Sequence, residues 1–143
     1  MLAELIRLHL TAKGYNVQTL SIPDRIAGAL NSNIVNKNKL FNDSYKLGGV
    51  QISISKGLRE KLATDSDTLN DYSGTINQAI SKSWPTIVKL MDKINNDNSQ
   101  GLLHIFDSSK PNVEKKVESA LEKGAKTPDE LIKDFEDVVS SED

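Results

Sequence analysis

The sequence predicts an α+β fold: a predominantly helical single domain carrying a small antiparallel sheet or hairpin. Three observations lead there. Apolar residues recur at helical spacing through most of the chain. One run, Val50-Gln-Ile-Ser-Ile-Ser55, alternates strictly behind a Gly48-Gly49 pair. The 143 residues, 37% apolar and 27% charged, are enough to bury one core without disulfide or metal staples.

In chain order, Leu2, Leu5, Ile6, His9 and Leu10 share a helical face, and Gly14 stops that helix near residue 13. Val17 to Ile22 has the β-branched content of a short strand. Pro23 opens a helix bearing Ile26, Ala27 and Leu30, with Ser21 as its cap. Asn31 to Lys39 is loop-like, because asparagine competes for its own backbone. Tyr45 to Leu47 and Val50 to Ser55 then form the expected hairpin, with Val50, Ile52 and Ile54 turned to the core. A short helix follows Gly57 and is interrupted at Thr64 to Asp67. From Leu69 to Ile94 a helical period continues across Pro85, which removes a backbone donor, so a kink or a helix junction is expected near Ser83 to Pro85. Asn95 to Gly101 reads as a loop, and Leu102 to Phe106 as a buried strand or a helical turn. Helices are expected after Pro111, ending at Gly124, and after Thr127, where Thr127, Pro128 and Glu130 spell a capping box. The segment from Leu5 to Leu30, with Gly14-Tyr-Asn-Val17 between two helices, resembles the helix–strand–helix part of response-regulator receiver domains. That resemblance implies a generic α-β-α unit and carries no site residues.

Composition removes several functional classes. With no cysteine, a disulfide framework, a thiolate metal site and a cysteine nucleophile are all excluded. The N-terminal stretch contains Glu4, Arg7 and His9, which suits an amphipathic helix better than a secretory signal core, and no apolar run is long enough to span a membrane. A cytoplasmic, intracellular protein without membrane contact is expected. Residues 1–110 carry 13 basic and 10 acidic groups and residues 111–143 carry 5 and 10, so negative charge collects at the C-terminus.

Tested for chemistry, the motifs are thin. His9 and His104 lack visible ligand partners, although His104 and Asp107 could share a helical face. Ser53 and Lys56 have the Ser-x-x-Lys spacing of serine acyl-enzymes, but the odd separation puts them on opposite faces of a strand. Gly124 to Thr127 imperfectly matches the end of a phosphate-binding loop and is explained by a helix stop followed by a cap. Asp65, Asp67 and the Asn95 to Gly101 tract offer oxygen ligands outside the EF-hand register. No catalytic, metal or cofactor residues are assigned.

The expected function is a non-enzymatic protein–protein interaction or assembly protein acting through amphipathic helix faces, its partner another protein or a second copy of itself. The asparagine and lysine content suits AT-rich coding DNA and a viral or mobile-element source. The chain divides into residues 1–125, the helix-rich domain, and residues 126–143, an acidic amphipathic helix docked on that domain or on a partner. Leu131, Phe135 and Val138 would anchor that helix in a groove. Trp84 is the fourth expected partner contact, since tryptophan is enriched at binding hot spots. A nucleic-acid-binding regulator using Lys37, Lys39 and Lys46 as phosphate contacts is the alternative, beside an enzyme without a recognisable motif.

Overall fold

A computed structural model describes residues 1–19, 50–99 and 113–141. They form five helices: α1 (Leu2–Ala12), α2 (Lys56–Thr64), α3 (Ser66–Ser99), α4 (Val113–Glu122) and α5 (Pro128–Ser140). Local chemistry sets most of their ends. Gly14 turns the chain out of α1 with φ +92°, a conformation that L side chains avoid. The Ser55 hydroxyl accepts the Leu58 amide at 3.3 Å and starts α2. The Asp65 carboxylate accepts the amides of Asp67 and Thr68 and the Thr68 hydroxyl, and so starts α3. Thr127 accepts the Glu130 amide at 3.2 Å while Glu130 accepts the Lys126 amide at 2.9 Å, the reciprocal cap expected of α5.

Two cores form along α3. Its C-terminal half supplies Ile87, Leu90, Met91 and Ile94, which pack with Leu5 and Leu8 of α1, Val113 and Val117 of α4, and Leu131, Phe135 and Val138 of α5. Its N-terminal half supplies Tyr72 and Ala79, packed with Ile6 and Leu10 of α1 and flanked by half-buried Tyr15, Val17, Val50, Ile54, Leu58 and Leu62. The far end of α5 is tied down by Lys93, whose ammonium donates to the carbonyls of Val138 at 3.0 Å, Val139 at 3.1 Å and also Ser141. A cation there suits both the unpaired carbonyls and the negative end of the helix dipole.

Several expectations are corrected. There is no strand or sheet among the described residues, so this part of the fold is all-helical rather than α+β. Val17 to Thr19 and Val50 to Ser55 lie outside any helix or ladder, because alternation sets which residues turn inward but does not supply a partner. The remaining residues of both expected strands, the Gly48-Gly49 turn, the helix after Pro23, and Leu102 to Phe106 fall outside the described residues. Of the two outcomes expected at Pro85, a junction between helices is not found: α3 is one helix of 34 residues with the proline inside it, its apolar contacts continuing on both sides. The Asn95 to Ser99 tract, expected as loop, is the last part of that helix.

Two side chains set the energetics to be tested. Phe135 is fully buried, so Phe135→Ala should lower unfolding free energy by about 3–5 kcal/mol, and Lys93→Met by about 1–2 kcal/mol through loss of the cap, both read from urea titrations. His9 on α1 is buried, and among the described residues its Nε2, like the Ser83 hydroxyl, has no hydrogen-bond partner. Burial, with Lys82 adding to it and Asp129 opposing, holds its pKa below the ordinary 6.5. The unfolded chain therefore binds the proton more readily, and stability should fall as pH drops through about 6.5. His9→Gln should flatten urea midpoints measured between about pH 7.5 and 5.

Candidate functional site

A concavity begins where α1 ends. Gly14 reverses the chain so that residues 15–19 run back beside α1, and residues 50–55 approach before α2 begins. Between them lies a cavity of about 640 Å³, walled by Ala3, Ile6, Arg7 and Leu10 of α1, by residues 14–19 and 50–55, and by Leu58 and Tyr72. Its floor is apolar because Ile6, Leu10 and Tyr72 belong to the second core. Polar groups sit around that floor.

At the first turn of α1, Glu4 and Arg7 are one turn apart. The Arg7 Nε donates to Glu4 Oε1 at 2.8 Å, and Nη2 donates to the same oxygen. Glu4 Oε2 accepts the Thr19 hydroxyl at 2.8 Å, which pins the end of the 15–19 segment to α1. Chiefly through the Arg7 hydrogen bond, the Glu4 carboxyl is held below its usual pKa. At the other end, Tyr15 donates its hydroxyl to Asp71 Oδ2 at 2.9 Å, Lys13 lies 3.9 Å from the second Asp71 oxygen, and the Tyr15 ring meets Tyr72 edge-on with centroids 5.3 Å apart. Desolvation is the main cause that pushes both tyrosine pKa values up, Asp71 adding to the effect on Tyr15, so both stay protonated near neutral pH.

The walls made by residues 15–19 and 50–55 carry a further feature. Among the described residues, no hydrogen bond engages the backbone of Asn16, Val17, Gln18, Ile52, Ser53 or Ile54. Backbone whose amide groups are open in this way is a template on which another amide chain can pair. Ile52 is 39% exposed at the mouth.

The expected partner residues are placed elsewhere. Leu131, Phe135 and Val138 are buried against the chain's own α1, α3 and α4. Trp84 is at the surface, 41% exposed, on the length of α3 between the two cores. Lys37, Lys39, Lys46 and His104 fall outside the described residues. Asp65, read as a possible cation ligand, serves as a helix cap. Among the described residues no three His, Asp or Glu side chains gather as a metal site would require. The residues that do meet, Glu4 with Arg7 and Thr19 at one end and Tyr15 with Asp71 at the other, were missed. The one signal in the sequence was the i, i+3 spacing of Glu4 and Arg7, which is common on solvated helices.

A family model described as poly-gamma-glutamate hydrolase matches residues 1–82. Compared with curated proteins and with solved structures, the chain matches none. The groove, formed by residues between Ala3 and Tyr72, lies wholly inside the matched part. Because no hydrogen bond among the described residues holds their amides, Val17, Gln18, Ile52 and Ser53 should exchange amide hydrogen near the intrinsic rate, while Leu8 and Leu10 of α1 exchange slowly. Residue-resolved hydrogen exchange checks this, and slow exchange at those four positions would mean that they are paired in solution.

Proposed function

The chain belongs to the poly-gamma-glutamate hydrolase family, and on that premise we propose that it binds poly-γ-glutamate, laid as an extended chain in the groove between α1 and residues 15–19 and 50–55. The observation that carries the reading is the coincidence of that groove with the family-matched residues. The polymer repeats two groups: an amide in its chain and a free carboxylate on every unit. The groove offers a counterpart to each. Unengaged backbone on residues 16–18 and 52–54 can pair with amides, and Arg7 supplies a guanidinium that forks onto carboxylates. Charge points the same way: residues 1–82 hold 10 basic and 7 acidic side chains, a net +3, whereas residues 83–143 hold 8 and 13, a net −5.

We read the site as binding rather than cleaving. Among the described residues, the groove wall carries no carboxylate or histidine that could serve as a general base. This reading puts a polyanionic polymer in place of the protein partner expected from sequence. End-labelled poly-γ-glutamate should bind saturably in fluorescence anisotropy, weaken as salt rises, and emerge from gel filtration at unchanged length. No binding at low salt would overturn the proposal, and a shortened polymer would overturn its non-catalytic part.

A further inference from the structure

We propose that Arg7 and Thr19 form a receptor for one carboxylate of the ligand, and that Glu4 is a built-in competitor which the ligand displaces. The inference rests on the polymer-binding reading for the identity of that carboxylate. Its geometry comes from α1 and residue 19. A lone Glu–Arg pair one turn apart on a helix is an ordinary solvated contact. Here the same carboxylate is also gripped by a hydroxyl from a separate segment, fifteen positions along the chain. One oxygen of Glu4 takes Arg7 and the other takes Thr19, so both of its oxygens are engaged by groups from two walls.

Arg7 and Thr19 line the groove and Glu4 does not, so the two receptor groups belong to the cavity wall and their resident carboxylate does not. The Arg7 and Glu4 side chains are 26% and 25% exposed, so the exchange replaces one part-solvated carboxylate by another and leaves no charge stranded. The free protein therefore holds Arg7 and Thr19 in register before any ligand arrives, at the cost of competing with it.

The competition is measurable. Glu4→Gln keeps the size of the side chain and removes its charge. A pair that keeps about a quarter of each side chain in solvent is still screened, so E4Q should bind labelled poly-γ-glutamate about two- to fivefold more tightly than the parent. Arg7→Gln on that background should cancel the gain, and Thr19→Val should weaken binding while helix content by circular dichroism is unchanged. Glutarate, a small dicarboxylate, should shift the Arg7 Nε–H resonance in E4Q more than in the parent. Polymer binding that is equal in E4Q and parent, or an Arg7 resonance that glutarate does not move, overturns this inference while leaving the polymer reading standing. Glutarate shifting Arg7 in E4Q while no variant binds the polymer supports the receptor and removes the polymer.

Discussion

The packing of α1 along α3 is the contact on which both halves of the molecule depend. α1 is amphipathic in two directions. Leu5 and Leu8 enter the core shared with α4 and α5, while Ile6 and Leu10 enter the core beneath the groove. With each fully buried aliphatic side chain worth about 1.5–3 kcal/mol, these four positions join the cores more firmly than any polar contact described. The same arrangement places Arg7 between them on the wall of the cavity.

The long α3 makes that arrangement possible. A helix of 34 residues spans about 50 Å, long enough to carry two separate clusters in series. Pro85 falls between them, at the stretch that includes Ser83 and Trp84. A proline inside a helix costs about 3 kcal/mol, and the apolar contacts on either side hold the rod against that loss.

Helices were legible in the sequence because their signals are local. The spacing of Leu5 and Leu8, the Gly14 stop, the Asp65 interruption and the Thr127 cap depend on neighbours within a turn or two. The sheet was misread for a related reason. Alternation in Val50 to Ser55 marks Val50 and Ile54 as inward-facing but fails at Ile52, which is 39% exposed, and a ladder also needs a second strand, which no residue within the run specifies. The Asn95 to Ser99 tract misled in the opposite sense: its composition suits a turn, yet it follows a helix already fixed by Leu90, Met91 and Ile94. The site itself was almost invisible, since Thr19 meets Glu4, and Tyr15 meets Asp71, across separations that no periodicity records.

The groove has one wall that cannot yield and one that can. Any change that shifts α1 also disturbs Leu5 and Leu8 in a core on the far side, so mutation of that wall is constrained by folding. Asn16, Gln18 and Ser53 are exposed and held by no hydrogen bond among the described residues. Selection, or an engineer, can therefore rewrite the ligand preference of this cavity through those three positions while the scaffold behind them stays the same.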